Sequence, residues 1–102
     1  MERQVSQFRR FLKVVFPAES PESLSQSPEE ELKLKMLPAL THLMPTEKSI
    51  IESLYGLGDG WPYPIDECSR IHKMSIELVL QNKNKAIEKI RGYLEIMYSS
   101  HL

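Results

Sequence analysis

The stretch Tyr55-Gly56-Leu57-Gly58-Asp59-Gly60 separates two segments in which apolar residues recur at helical spacing. Glycine adopts a positive φ at almost no steric cost, so it is the usual residue directly after the end of a helix. Three glycines in five residues therefore predict the end of one helix and a wide turn. The pattern after this turn predicts a short helix over residues 65–72, a tight turn, and a long helix that runs to about Met97. That order is typical of a helix-turn-helix, whose second helix is presented to the major groove of DNA.

Three further segments are predicted before the glycines. Residues 1–16 have the pattern of an amphipathic N-terminal helix with basic side chains away from its apolar ones. Such a helix either packs on the domain's own core or binds a partner. Residues 17–28 are rich in proline and serine, which predicts an extended, mobile linker. A helix then begins near Pro28, and Pro38 is expected to kink or divide it. Residues 29–102 are predicted to form a small all-α helix-turn-helix domain.

Composition limits the chain to one small domain without evident catalytic chemistry. It has 102 residues and a net charge of −1, so it lacks the basic excess that nucleic-acid-binding domains usually carry. Its single cysteine, Cys68, excludes an intramolecular disulfide and is expected to be buried as a small apolar side chain. His42, His72 and His101 lie far apart in sequence, without Cys or His neighbours at metal-ligand spacing. We therefore expect a cytoplasmic protein with no enzyme activity, no metal, no cofactor and no membrane-spanning segment.

Residues 43–91 resemble region 4 of the sigma-70 family of bacterial RNA polymerase sigma factors. The resemblance is carried by LMPTEKSIIESLYGLGDG (43–60), PYPIDECSRIHKMS (62–75) and IELVLQNKNKAIEKIR (76–91). It implies an all-α domain whose recognition helix reads the promoter −35 element, and whose first helices form an apolar cleft for the flap of the polymerase β subunit. Nothing in residues 1–42 resembles the sigma regions that bind the −10 element or the polymerase clamp. The resemblance therefore predicts a stand-alone region 4.

The predicted recognition helix departs from the family pattern. Sigma factors usually have arginine at the positions of Ile76, Leu78 and Leu80. Arginine forms bidentate bonds to guanine and charged bonds to phosphate, and an aliphatic side chain forms neither. We therefore predict that this helix has lost most of its ability to read DNA. For Ile76 and Leu80, core packing and partner contact remain open, whereas partner contact is favoured for Leu78. The remaining candidates for DNA contact are Arg70, Ser75, Glu77, Gln81, Lys83 and Lys85.

The leading hypothesis is a transcription regulator that binds RNA polymerase through the β flap, with a sigma factor as a further candidate partner. Apolar side chains at helical spacing can hold a partner helix in a groove. Because the same side chains must also form the core, only those that stay exposed are expected to bind. The candidates for this cleft are Met36, Leu37, Leu40, Ile50, Ile51, Leu54 and Tyr55. Two alternatives are a sequence-specific DNA-binding regulator, which would act as a homodimer, and a protein-interaction module outside transcription.

Overall fold

The computed structural model describes residues 7–58 and 60–98, and six helices account for most of them. The helices are α1 (Gln7–Val15), α2 (Glu22–Ser25), α3 (Glu29–Thr41), α4 (Pro45–Tyr55), α5 (Ile65–His72) and α6 (Ile76–Tyr98). No strand occurs within these two ranges, which confirms the predicted all-α fold. Some predictions fall elsewhere: the first six residues of the N-terminal helix, Asp59 and His101 lie outside the described residues.

The glycine-rich turn ends α4 as predicted. Gly56 has a φ of 68°, in the left-handed region, and its amide donates a hydrogen bond to the carbonyl of Glu52. A Cβ at Gly56 would lie 2.8 Å from the backbone nitrogen of Pro62, so the close return of the chain also requires glycine here. Gly60 has a φ of 82°. Both glycines thus adopt a conformation that other residues rarely take.

The junction between α5 and α6 also has the predicted form. The short helix predicted over residues 65–72 has the same bounds as α5. Lys73 ends it in the left-handed region with a φ of 55°, and the Met74 amide donates to the carbonyl of Ser69 over 3.1 Å. The hydroxyl of Ser75 accepts a hydrogen bond from the Leu78 amide at 3.1 Å, which makes it the N-cap of α6.

Two apolar clusters hold the helices together. The larger cluster, here called the main core, joins α1, α2 and α3 to Ile51 of α4 and to the C-terminal half of α6. Its members are Phe8, Phe11, Leu12, Val15, Phe16, Leu24, Leu32, Met36, Ala39, Leu40, Leu43, Ile51, Ala86, Ile87, Ile90 and Leu94. The smaller cluster, here called the turn core, consists of Ile50, Cys68 and Val79 and joins α4, α5 and α6. The helix-turn-helix elements therefore have an apolar cluster of their own.

Helix α1 packs on the domain itself. Phe8, Phe11, Leu12 and Val15 are each no more than 5% exposed and belong to the main core. Of the two placements predicted for the N-terminal helix, the structure therefore has the intramolecular one. A domain of this size buries a comparatively small share of its surface, so an available apolar helix face contributes substantially to its stability.

Residues 17–28 are not the extended segment that their composition predicts. Residues 22–25 form α2, and Leu24 is fully buried in the main core. The Ser27 hydroxyl is also buried, and it donates a hydrogen bond to the carbonyl of Ser23 over 2.6 Å. Burial of one leucine, together with local turn bonds, fixes a segment that is otherwise polar.

Helix α3 runs unbroken through Pro38, so the division predicted there does not occur. Proline removes one backbone hydrogen bond from a helix interior. Met36, Ala39 and Leu40, on either side of it, are no more than 2% exposed. Their packing in the main core outweighs the lost bond, which explains why local propensity was a poor guide at this position.

The last turn of α6 contacts the main core through Tyr98, and its other apolar side chains stay exposed. Leu94 is fully buried, but Met97, whose helical spacing places it in one stripe with Val79, Ala86 and Ile90, is 54% exposed. Helical spacing predicts burial for Met97, and this prediction was wrong because in the last turn of α6 it is Tyr98 that packs against the main core. Although α6 is 23 residues long, neither it nor any other helix in the described ranges has the apolar length needed to cross a membrane.

Candidate functional site

The candidate site is built on α4, α5 and α6, and an ion pair between the buried Glu47 and the half-exposed Lys89 fixes α6 against the start of α4. Glu47 is 4% exposed, and its Oε1 accepts hydrogen bonds from Lys89 Nζ at 2.9 Å and from the Met44 amide at 3.0 Å. Burial alone would raise the pKa of Glu47, but these bonds and the charges of Lys89 and Lys85 hold it below its ordinary value. The carboxylate therefore stays ionised while it caps α4 and binds α6.

A second set of polar contacts fixes α5 relative to α4. The Ser53 hydroxyl lies 3.0 Å from Nε2 of His72, and the carbonyl of Ser53 accepts a hydrogen bond from the Tyr63 amide at 2.9 Å. The Ser69 hydroxyl donates to the carbonyl of Met74 over 2.5 Å. These side-chain and backbone bonds fix α5 against α4 and against the turn before α6. The surface of α6 therefore has a defined orientation.

Cys68 is a structural residue at the centre of the turn core. It is fully buried, and burial raises the pKa of its thiol, with further contributions from Glu67 and Asp66. A protonated, enclosed thiol is a poor nucleophile and a poor metal ligand. Within residues 7–58 and 60–98, no three His, Cys, Asp or Glu side chains converge on a position that could hold a metal ion.

The first turns of α6 carry apolar side chains on the protein surface. Ile76, Leu78 and Leu80 are 45%, 43% and 38% exposed, whereas Val79 between them is fully buried in the turn core. Core packing had remained open for Ile76 and Leu80, and the structure places neither in an apolar cluster. Asn82 donates a hydrogen bond back to the carbonyl of Leu78 over 2.9 Å. The start of α6 therefore combines a single buried valine with three solvent-exposed aliphatic side chains.

The candidates for DNA contact differ in how available they are. Glu77, Gln81 and Lys85 are exposed on α6, and Lys83 is half-buried. The guanidinium of Arg70 lies 3.8 Å from the carboxylate of its neighbour Glu67, an exposed ion pair that costs little to break. Ser75 is exposed, but its hydroxyl is engaged as the N-cap of α6. The structure thus leaves few free polar groups on the helix expected to read bases.

The structure divides the seven candidates for the flap cleft into two groups. Met36, Leu40, Ile50 and Ile51 are at most 2% exposed, so in this arrangement they form core and present no surface to a partner. The other three, Leu37, Leu54 and Tyr55, keep some exposure and are here called the rim. Tyr55 packs against the ring of Phe11 with a centroid distance of 5.0 Å. Partner binding by all seven residues stays a prediction. Only the three rim residues keep the exposed surface that a contact with a partner requires.

Two curated sigma factors are similar in sequence to this chain. A probable RNA polymerase sigma-C factor from Synechocystis sp. is 36% identical over 75 residues, which cover 69% of this chain and 19% of the relative. The RNA polymerase sigma-C factor from Nostoc sp. is 36% identical over 62 residues, which cover 61% of this chain and 15% of the relative. The chain resembles one part of a sigma factor. It spans less than one fifth of the length of either relative.

This similarity confirms the resemblance to sigma factors predicted from residues 43–91, and the short match fits a single region of such a factor. No protein-family model matches the chain, and no solved structure matches it.

Sequence reasoning missed the two contacts that shape the site most. Glu47 is recognisable as a capping residue from its place after Met44, but its pairing with Lys89, 42 residues later, has no local signal. The contact of Phe11 with Tyr55 was not predicted either, although Phe11 lies three residues after Phe8 and is 1% exposed. That spacing was the signal that could have placed it.

Proposed function

We propose that the chain regulates transcription by binding bacterial RNA polymerase through its sigma region 4-like domain, in the cytoplasm. The sequence similarity to two sigma factors supports this proposal, as does the order of α4, the glycine turn, α5 and α6. The observation that carries it is the exposure of Ile76, Leu78 and Leu80. Sigma factors usually have arginine at these positions, and an exposed aliphatic side chain can pack against a protein but cannot pair with phosphate.

The contact on the polymerase that we propose is the flap of the β subunit. Leu37 of α3 is 37% exposed, and Leu54 and Tyr55 of α4 are half-buried. An amphipathic helix binds a groove through apolar anchors at helical spacing. Leu54 and Tyr55 line one cleft, and we assign Leu37 to its border. The exposed start of α6 is then available to a second protein, for which a sigma factor is the candidate.

A DNA-binding regulator is the second candidate function, because Gln81, Lys85 and Arg70 remain exposed. Contacts from so few polar groups would give weak binding that falls steeply with salt. Sequence-specific binding through Gln81 and Lys85 would be lost in the double variant Gln81→Ala/Lys85→Ala. Non-specific binding would weaken by a similar factor on every duplex tested.

A parallel titration distinguishes the two functions. The full chain is titrated with an isolated β-flap fragment and, separately, with a duplex that carries a −35 element, both at physiological salt. We expect saturable binding to the flap fragment and weak, sequence-independent binding to the duplex. Tight, sequence-selective binding to the duplex together with no binding to the flap would refute the proposal.

The rim assignment has its own test in Leu37→Asp. Because Leu37 is on the surface, the variant is expected to stay folded and to lose about tenfold in affinity for the flap fragment. Ile96→Asp is the matched control, since Ile96 is 82% exposed at the far end of α6 and lies outside the rim. Equal loss in both variants would mean that added negative charge, rather than the rim, weakens binding.

A further inference from the structure

Helix α1 covers the same groove that the proposed flap contact requires. The main core that α1 joins includes Met36, Leu40 and Ile51, and Tyr55 packs against it. These are four of the seven residues assigned to the flap cleft. The rings of Phe11 and Tyr55 lie 5.0 Å apart and are tilted by 46°, so α1 reaches the rim itself. With α1 in place, a partner helix meets only the edge of this groove.

The apolar side chains of α1 have the spacing of a groove-binding helix. Phe8, Phe11, Leu12 and Val15 stand at positions i, i+3, i+4 and i+7, and each is at most 5% exposed. That is the anchor pattern with which an amphipathic helix from one protein occupies a groove on another. Helix α1 is nine residues long, and helices of this length are marginal unless they pack on something.

The polar contacts of α1 are few and lie at its edges. The Phe8 amide donates to Oε2 of Glu29 over 3.0 Å, and Arg91 Nε donates to the carbonyl of Val15 over 2.7 Å. The guanidinium of Arg9 donates to the carbonyls of Ser25 and Ser27. In the described part of the chain, Oε1 of Glu29 is buried without a hydrogen-bond partner. Packing α1 therefore leaves a carboxylate oxygen unsatisfied, and its release would let water reach that oxygen.

The helix-turn-helix has contacts that do not depend on α1. The turn core joins Ile50, Cys68 and Val79 without any residue of α1, and the Glu47–Lys89 pair joins α4 to α6 separately. Release of α1 would thus remove one layer of the main core while these contacts persist. Helix α1 can therefore leave the main core while the turn core and the Glu47–Lys89 pair keep α4, α5 and α6 together.

From this geometry we infer that α1 is a displaceable, autoinhibitory occupant of the groove between α3, α4 and α6, and that the partner's helix replaces it. The replacing helix has large apolar side chains at the spacing of Phe8, Phe11, Leu12 and Val15. This inference rests on the proposed function, because it assigns the flap helix to the place that α1 now fills. Binding then requires α1 to leave, and the apparent affinity equals the intrinsic affinity multiplied by the fraction of molecules in which α1 has left.

A reversible crosslink between α1 and the chain after α4 tests the displacement. Val14 and Pro62 border one cleft of about 120 Å³, and both are exposed. The variant Val14→Cys/Pro62→Cys, with Cys68→Ala to remove the native thiol, is joined by a bismaleimide that contains a disulfide. The crosslinked chain is expected to bind the flap fragment at least about tenfold more weakly than the same sample after reduction of the linker. Pro62→Cys/Cys68→Ala with one linker attached controls for the bulk of the reagent.

A milder pair of variants tests the opposite direction. Arg9→Ala removes the bonds from α1 to Ser25 and Ser27, whereas Arg10→Ala removes the same charge from an exposed side chain. Arg9→Ala is expected to bind the flap fragment about three- to tenfold more tightly than Arg10→Ala, with faster hydrogen exchange of the α1 amides.

The outcomes separate this inference from the proposed function. Equal flap affinity before and after reduction of the crosslink would overturn the inference and leave the proposed function standing. Absence of flap binding in every variant, including the reduced sample and Arg9→Ala, would overturn both.

Discussion

Ile76, Leu80, Ile87 and Leu94 form one ridge along α6, but the two ends of that ridge have opposite environments. Ile87 and Leu94 are 8% and 0% exposed in the main core, whereas Ile76 and Leu80 are 45% and 38% exposed. Their spacing alone assigns all four to one face of the helix. The difference arises because the main core covers only the C-terminal half of α6, while the turn core reaches the other half through Val79. An apolar ridge is therefore buried only as far as a neighbouring helix extends over it.

The largest expected effect comes from shortening one leucine at each end of α6. Leu94→Ala should lower the free energy of unfolding by about 3 kcal/mol, because it leaves a cavity in the main core. Leu80→Ala should change it by less than about 0.5 kcal/mol, because that side chain is already 38% exposed. Urea unfolding of the two variants measures both values. Similar losses would mean that both ends of α6 are packed equally well, contrary to this comparison.

Arginine side chains placed at the exposed end of α6 are expected to strengthen DNA binding. The triple variant Ile76→Arg/Leu78→Arg/Leu80→Arg is expected to bind a −35 duplex more tightly by on the order of 2 kcal/mol, or roughly 30-fold, with a steeper salt dependence. The control Leu34→Arg/Met44→Arg/Ile96→Arg adds the same charge at three other exposed apolar positions. Fluorescence anisotropy at several salt concentrations measures both. If the control gained as much, the effect would reflect net charge and not the position of these side chains on α6.

The smallest effect concerns Lys89, which lies between the buried and exposed ends of α6. Lys89→Met should lower the free energy of unfolding at neutral pH by about 1 kcal/mol, a modest value because Lys89 is half-exposed. The pKa of Glu47 is lowered in the folded chain, so its contribution to stability is present above the ordinary pKa of glutamate. It is lost as the pH falls through the lowered value.

The acid sensitivity of Lys89→Met should accordingly be smaller than that of the unchanged protein. Chemical unfolding at neutral pH and at about pH 3 measures the difference. Lys85→Met is the control, because Lys85 acts on Glu47 through its charge alone. If Lys89→Met lost as much stability in acid as the unchanged protein does, the ion pair would not be the source of the pH dependence.

Much of the helix-turn-helix could be predicted because its signals are local. Gly56 ends α4, Ser75 caps α6, and the bounds of α5 agree with prediction to the residue. Each of these features depends on a backbone conformation or a hydrogen bond within a few residues. The resemblance to sigma factors was also readable, since it lies in continuous stretches of sequence.

The candidate site was only partly predictable, because exposure depends on what lies above a helix. The same helical spacing predicted apolar faces at Met36, Leu40, Leu37 and Leu54, and only the last two retain exposed surface. Neither the burial of Leu24 within a polar segment nor the pairing of distant charged residues has a signature in local sequence.

The amino-acid sequence by itself determined where the helices end, which of their faces are apolar, and that the start of α6 lacks the charges of a DNA-reading helix. These properties follow from backbone preferences and side-chain chemistry, which each residue has wherever the chain goes. Only the tertiary structure decided that α1 fills the groove between α3, α4 and α6, and that the apolar ridge of α6 is covered at one end and bare at the other. Burial is a property of pairs of surfaces, and the surface that meets a given helix can come from residues far away in the chain.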